Sequence, residues 1–315
     1  MTTFDPNIVY AAGAICWRQK GDEILVLVIH RTQRKDYSIP TGKVDPGELL
    51  PETCVREIAE ETGLSISLGV PVGVTEYPLS HGKHKVVHYW TAKVSNKTAK
   101  RSTFVPNDEV DAMEWLTIEK ARKRLSYDPD RVILDNFQTL AAQGGLSTFA
   151  LIVLRHAKAL EPSTFVGKDQ SRPLAERGRR QAQNIVLAIT AWEPKKLISS
   201  SSLRCRQTIE PLAHTMSKKV NFRDDISQHA FVDDSDDVAQ LIATRIAKKR
   251  TAVICSHGPV IPEIIREIAH ATGTPYNSVM TTAAALDTGS FSVFHVDKKH
   301  PDTGIVAVES HDSSV

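Results

Sequence analysis

Between Gly42 and Leu64 the chain reads GKVDPGELLPETCVREIAEETGL, with six carboxylates (Asp45, Glu48, Glu52, Glu57, Glu60 and Glu61) against two cations, Lys43 and Arg56. Pro51 to Thr62 has helical spacing, and steps of about 100° per residue bring Glu57, Glu60 and Glu61 onto one face roughly 100° wide. Like charges grouped in this way repel one another. Val55, Ile58 and Thr62, flanked by Cys54 and Ala59, take the opposite face and are expected to hold the helix against a core despite that repulsion. The helix is therefore read as packed on one side and acidic on the other.

The segments around this helix differ in type. From Ile8 to Ile39 the pattern is strand-like: IVYAAGAICWR, then EILVLVIHR after a turn at Lys20 to Asp22, then a short YSIP. After the helix, Gly63 suits a C-cap. SISLGV, VGVTEYPL, KVVHYWTAKV and VDAMEWLT read as further strands, with KTAKR in a hairpin loop. IEKARKRLSYDPDRVILDNFQTLAAQ reads as one or two helices broken around Pro129.

A chain of 315 residues is long for one core. AAQGGLSTF is its least structured stretch between periodic regions, so one domain is expected over 1–143 and a second over 144–315. In the second half strands alternate with helices: FALIVL, a helix across PLAERGRRQAQNIVLAITAW, KLISS, helices around SLRCRQTIEPLAHTM and DDVAQLIATRIAKK, TAVICS, and a helix from Pro259 to Ala271. That order predicts a layered α/β domain with a largely parallel sheet, whose working groups sit where strands end.

Composition excludes several functions. Lys and Arg number 39 against 37 Asp and Glu, so no global field draws the chain to a nucleic acid polymer or an anionic membrane. Apolar runs such as ILVLVI and FALIVL fall far below the ~18 residues a membrane span needs. MTTFDPNIVY has no cationic segment leading into an apolar one, so export is not expected. The four cysteines (Cys16, Cys54, Cys205 and Cys255) are far apart and form no C-x-x-C pair, which reads as reduced, buried thiols in a cytoplasmic protein. Self-association is left open.

Gly42, Glu48, Arg56, Glu57, Glu60, Glu61 and Gly63, with the aliphatic Ile58 and Leu64, satisfy G-x5-E-x7-R-E-U-x-E-E-x-G-U, where U is aliphatic. So many fixed positions make chance agreement improbable. The segment resembles a Nudix box, and the chain to about residue 140 is similar to Nudix hydrolases, which implies an α/β/α fold around a mixed sheet. Hard divalent cations prefer oxygen ligands and often bridge carboxylate to phosphate, so a carboxylate cluster on a rigid helix suits them. The resemblance implies Mg²⁺, with Mn²⁺ as a substitute. It makes Glu57 and Glu61 direct ligands, with Glu57 also orienting the attacking water or acting as base, Glu60 a further ligand, and the Gly42 backbone a nearby donor. Glu109, in the loop before VDAMEW, is open to two readings, a late ligand or a loop-surface carboxylate. Arg56 is expected to hold the carboxylates in place. Thr41 precedes the box glycine, where the family commonly has Gly or Lys. Arg31, Arg34, Lys43, Lys83 and Lys85 are candidate phosphate partners, each also readable as a solvated cation.

In the second half LIVLRHAKA ends a strand with Arg155 and His156, and SSSSLRCRQT and VICSHGPV also follow strand-like segments. Neutral imidazole can attack phosphorus while guanidiniums bind phosphate oxygens in pairs. These segments, with SRPLAERGRRQA between them, resemble the histidine phosphatase family in its compact R-H-A form, over about Thr148 to Val296. The resemblance makes His156 the nucleophile and gives Arg155, Arg204 and His257 the phosphate pocket, with Arg172 a further candidate. Asp224, Asp225 and His229 are undifferentiated candidates for the proton donor.

The fusion of the two resembles MutT-type proteins that clear oxidised guanine nucleotides. It implies nucleotide substrates: 8-oxo-dGTP and 8-oxo-GTP hydrolysed to diphosphates, with dinucleoside polyphosphates as further substrates. In the alternative reading, HYWTAKV and EKARKRLSYDPDRVIL are similar to diadenosine polyphosphate hydrolases, with Tyr127 stacking on a base. The leading reading gives the second domain phosphohistidine phosphatase activity, and in the alternative that domain is regulatory or a phosphatase of phosphohistidine proteins.

Overall fold

The computed structural model of the protein describes residues 7–79, 82–231 and 236–313. Residues 1–6, read above for a targeting segment, lie outside these. The chain divides into two compact units between Leu146 and Ser147.

In the first unit β1 (Ile8–Lys20) and β2 (Glu23–Arg31) form a hairpin, followed by β3 (Asp36–Ser38), β4 (Thr41–Lys43) and α1 (Leu50–Thr62). Next come β5 (Leu68–Pro78), β6 (His84–Lys93), α2 (Asn96–Lys100), β7 (Ala112–Thr117), α3 (Ile118–Arg124) and α4 (Asp128–Ala142). Among the described residues seven strands make one mixed sheet in the order β3-β2-β1-β6-β5, with β4 on β1 and β7 on β2; there only β1 and β6 run parallel. Ala11, Ile15 and Trp17 of β1 face a core shared with Ala121 of α3, Leu125 just after it, and Ile133 and Phe137 of α4. The alternate residues Ala12, Ala14 and Cys16 are buried outside that cluster, as the period-2 alternation of a strand requires, and α1 packs on β1.

Four local readings change. SISLGV and VGVTEYPL are not two strands, because Leu68 to Val70 of the first and Val72 to Pro78 of the second lie in the single strand β5, whose register shifts between Leu68 and Gly73. KTAKR is not a hairpin loop: Lys97 to Lys100 lie in α2, whose N-cap Ser95 accepts the Thr98 N–H at 3.0 Å. The chain breaks over Leu125–Tyr127, and Pro129 lies in the first turn of α4, where its missing N–H costs nothing. The packed face of α1 is Pro51, Cys54, Ile58 and Thr62, with Ala59 exposed and Val55 half-buried, and this rotation buries Glu61.

The second unit alternates β8 (Thr148–Arg155), α5 (Glu176–Thr190), β9 (Lys196–Ser200), α6 (Leu203–Thr215), β10 (Val220–Arg223), α7 (Asp236–Lys248), β11 (Ala252–Ser256) and α8 (Ile261–Ala271). It ends with α9 (Ser278–Ala284) and the hairpin β12 (Phe291–Asp297) and β13 (Ile305–His311). The sheet order is β10-β9-β11-β8-β12-β13. The first four strands are parallel, and the hairpin adds two antiparallel strands at the β8 side. Residues of α7, α8 and α9 share one core with Leu151, Val153 and Ile254, while α6 packs on β9 and β11 and against α5. β9, β11 and β8 are neighbours, so their C-terminal ends lie side by side.

All four cysteines are buried and unbridged, and burial pushes the Cys16 thiol up to about 12. Among the described residues no helix is long and apolar enough to cross a membrane.

Candidate active sites

In the first unit α1 is fixed at both ends. Pro51 occupies its first turn, and Gly63, in the left-handed region at φ 63°, donates its N–H to Ala59 at 2.9 Å. Arg56 is the hub of the acidic face. Its Nε and Nη2 meet the two oxygens of Glu48 at 2.7 and 2.8 Å, and its Nη1 reaches Glu57 at 2.8 Å and Glu60 at 3.0 Å. It also donates to the Lys43 carbonyl at 3.1 Å, tying the helix to β4. One guanidinium thus holds three carboxylates, as its place in the sequence pattern predicts.

The three glutamates of the motif part company. Glu60 is exposed and bonded to Arg56. Glu57 is half-buried, with its carboxylate against the Cα of Gly42, where any Cβ would collide with it. Glu61 is 8% exposed, accepts the Thr41 N–H, and its Oε2 has no partner among the described residues. Burial and the neighbouring Glu57 charge push its carboxyl up to about 8, and burial also raises that of Glu57. Glu57 thus has Arg56 beside it, whereas Glu61 Oε2 is left without a partner among the described residues.

Cations face them. A cleft of about 320 Å³ is lined by Arg31, Arg34, Lys43, Lys85, Glu57 and Glu61, with Gln33, Thr41, Gly42 and Glu109 completing the wall. Burial and the nearby Arg31, Arg34 and Lys43 lower the pKa of Lys85, so like charges are crowded together on this wall. Asp36 braces Arg31 through two bonds of 2.7 and 2.8 Å. Glu109 reaches the cleft from a turn in which the Asn107 side chain accepts its N–H at 2.9 Å.

The structure therefore gathers Arg31, Gly42, Lys43, Glu57, Glu61 and Glu109 in one cleft, and leaves Glu60, Lys83 and Tyr127 off its lining. Lys83 is exposed beside its hairpin. The Tyr127 hydroxyl donates to Asp36 at 2.5 Å, and its ring lies 5.9 Å from the Arg31 guanidinium. Asp36 and Gln33 escaped the sequence reading because their only signal is position beside Arg31 and Arg34.

Among the described residues no three His, Cys, Asp or Glu side chains converge as a finished metal cage. Mg²⁺ is commonly held by one or two carboxylates plus substrate phosphates, with waters retained. The donor set fits it: oxygen ligands only, an unpartnered buried Glu61 oxygen, and a glycine that leaves room for the Glu57 carboxylate.

In the second unit the ends of β8, β9 and β11 deliver Arg155, Ser200 and Ser256, and the next residues build the second site. The imidazoles of His156 and His257 stand edge to face with centroids 5.2 Å apart. The Ala157 carbonyl accepts from His156 Nδ1 at 2.8 Å, so the ring proton is on Nδ1 and Nε2 keeps its lone pair. Burial, with Arg204, Arg155 and Arg172 nearby, lowers His156 to about 4, and burial and His156 lower His257 to about 2. Both rings are neutral at pH 7.

His257 Nε2 lies 2.8 Å from Ser200 Oγ, and its buried Nδ1 has no partner among the described residues. The same holds for Nε of Arg155 and of Arg204. Gly258 lets the Arg155 guanidinium lie over the backbone, its Cζ 3.3 Å from where a Cβ would stand. Arg172 and Arg204 meet at Asp169, which is bonded to both. Of the proton-donor candidates, Asp224 accepts from Ser201, Asp225 is taken up by Arg223, and His229 is exposed within electrostatic reach of His257. Ser200 and Asp169 escaped the sequence reading; an Asp three residues before Arg172 was the one local hint of the latter.

Residues 8–137 match the NUDIX domain, and residues 151–236 match the histidine phosphatase superfamily, branch 1. The chain is 35% identical over 268 residues to the 8-oxo-(d)GTP phosphatase of Mycolicibacterium smegmatis, an alignment covering 82% of this chain and 80% of that protein. It is 27% identical over 144 residues to the asymmetrical bis(5'-nucleosyl)-tetraphosphatase of Caenorhabditis elegans, covering 43% of this chain and 98% of the relative. The crystal structure of a C. elegans Ap4A hydrolase binary complex aligns at 26% identity and TM-score 0.39, over 43% of this chain and 98% of that one. With both domains matched and the first relative aligned through most of its length, the chain belongs to the family of Nudix hydrolases fused to a histidine phosphatase domain.

Proposed function

We propose that the first domain is a Mg²⁺-dependent cytoplasmic hydrolase of 8-oxo-dGTP and 8-oxo-GTP that releases the nucleoside diphosphate and phosphate, with dinucleoside polyphosphates as further substrates. One observation carries this reading: Glu57 and Glu61, whose carboxyls burial raises, share one cleft with Arg31, Arg34, Lys43 and Lys85. A polyphosphate with its cation suits both sets of groups. Glu57 and Glu61 would hold a divalent cation, which would supply charge neutralisation along the phosphate chain and a lowered pKa for a bound water.

The chain's own residues do the rest. Arg31, Arg34, Lys43 and Lys85 grip phosphate oxygens. Arg56 keeps the Glu57 carboxylate over Gly42, and Glu109 reaches the same cleft from the loop before β7. Tyr127 adds a half-exposed ring above Arg31, which supports acceptance of a second nucleoside. Relatives named for 8-oxo-(d)GTP and for bis(5'-nucleosyl) tetraphosphates support the same pair of substrate classes.

The second domain is read as a phosphatase of terminal phosphates. His156 Nε2, unprotonated and neutral, attacks phosphorus as the P–O bond to the leaving group breaks, that oxygen departs with a proton taken from water, and a second water then breaks the P–N bond to free phosphate and restore the imidazole. Arg155, Arg204, Arg172 and His257 supply the donors.

A panel of 8-oxo-dGTP, dGTP, 8-oxo-GTP and diadenosine tetraphosphate, with products separated by chromatography, tests the substrate assignment. Preference for the oxidised triphosphates supports it. Equal use of dGTP, with diadenosine tetraphosphate preferred, returns the alternative reading.

A further inference from the structure

In the second unit the groups that would receive a phosphate already hold an anion from the chain itself. Asp169 lies in the loop between β8 and α5, in a short turn of Asp169–Ser171. Its Oδ1 accepts from Arg172 Nε at 3.0 Å and Nη2 at 2.9 Å, and its Oδ2 pairs with Arg204 Nη2 at 2.9 Å. Its backbone carbonyl accepts from Arg204 Nη1 at 2.8 Å. Burial opposes its charge, but the two guanidiniums hold the carboxyl below the usual carboxylate range, so it stands there as an anion.

The pairing is asymmetric. Arg204 is 1% exposed and anchored in the first turn of α6, whereas the Asp169 side chain is 49% exposed on a loop. The arginine cannot leave, and the carboxylate can. Meanwhile Arg155 Nε, Arg204 Nε and His257 Nδ1 remain buried without partners among the described residues. Asp169 satisfies only the outer part of the cationic pocket. An incoming phosphate has three oxygens that can replace the carboxylate and also reach the inner donors.

Resting on the reading of this pocket as a phosphate site, we infer that Asp169 is a resident anion that occupies Arg172 and Arg204 until a phosphoryl group displaces it, so that it sets the affinity threshold of the second domain. A weakly charged or poorly fitting anion fails to exchange with a carboxylate that costs no association entropy. A dianionic terminal phosphate exchanges because it gains the inner donors as well. The carboxylate returns as product phosphate leaves, which limits product inhibition. Asp169 is thus a specificity-determining residue. As a held anion it has no proton to donate at neutral pH.

Asp169→Asn in the full chain tests this, with inorganic phosphate as probe, measured by calorimetry and as an inhibitor of phosphomonoester hydrolysis. Removing the competing charge should tighten phosphate binding by about tenfold and lower the inhibition constant in step. Unchanged thermal unfolding checks that the loop substitution leaves the fold intact. Should Asp169 merely hold the arginines in place, Asp169→Asn would bind phosphate more weakly or equally, and the inference falls. Absence of binding in both wild type and variant would sink the phosphate-pocket reading and this inference with it. Binding by wild type with no gain in the variant sinks the inference alone.

Discussion

Gly42→Ala places a methyl group where the Glu57 carboxylate lies. A Cβ built on Gly42 falls well inside 3.0 Å of the carboxylate carbon and both its oxygens, a separation that real contacts do not show. The backbone itself accepts alanine, since Gly42 is not among the glycines with positive φ. The strain therefore falls on the half-buried end of a flexible side chain, which must retreat by roughly 1 Å or more, and a misplacement of that size costs on the order of 10²-fold in rate. Stability should change by less than about 1 kcal/mol, because a Gly to Ala change at a permissive site restricts the unfolded chain and is mildly stabilising. The assay is Mg²⁺-dependent hydrolysis of 8-oxo-dGTP at several Mg²⁺ concentrations, with thermal unfolding on the same preparations. A folded variant slowed by about 10²-fold and needing more Mg²⁺ is expected. Full activity at the wild-type Mg²⁺ requirement would refute the account of Gly42 as the space that seats Glu57.

Other outcomes follow from the same geometry. His156→Ala should cut metal-independent phosphomonoesterase activity by at least about 10²-fold, and acid-labile, alkali-stable phosphate should be trapped on the wild type only; activity surviving the substitution contradicts the nucleophile. His156 is lowered to about 4 by burial and three arginines, so the phosphatase should keep its activity from pH 7 down to about 5 and lose it as pH falls through 4; a fall centred near 6.5 would show the ring in ordinary solvent. The same shift makes the unfolded chain bind more protons between about 4 and 6.5, so unfolding free energy should rise with pH across that window, and His156→Ala should flatten the rise. Hydrolysis of 8-oxo-dGTP in ¹⁸O-labelled water should put label on inorganic phosphate or on the diphosphate, and label confined to the monophosphate or pyrophosphate contradicts the diphosphate route.

Much of this was legible in the sequence because the groups concerned are fixed by helix periodicity and strand ends. Arg56 lies eight residues after Glu48 and one turn before Glu60, and the structure joins it to both. Arg155, His156 and His257 adjoin apolar runs that become neighbouring parallel strands. What was not legible depends on packing. The sequence put Glu57, Glu60 and Glu61 on one acidic face, but a modest rotation of α1 buries Glu61 and leaves Glu60 in solvent. Three-residue β4 has no periodicity of its own and exists through pairing with Ala11 to Gly13. β12 and β13 lie beyond the last helix read from the pattern, and α9 is marked mainly by its Asn277 cap. Asp169 meets Arg204 across 35 residues, a distance no local spacing reveals.

Hydrolysis of 8-oxo-dGTP in Mg²⁺ by full-length wild type, Glu61→Gln and His156→Ala, run side by side, tests where the chemistry resides. Glu61→Gln removes the charge of the buried carboxylate whose Oε2 has no partner among the described residues and leaves its shape, so it should be slower by on the order of 10²-fold or more, while His156→Ala matches the wild type. A Glu61→Gln protein as fast as wild type, or a His156→Ala protein that no longer cleaves the triphosphate, would contradict the assignment of nucleotide hydrolysis to the Glu57 and Glu61 cleft.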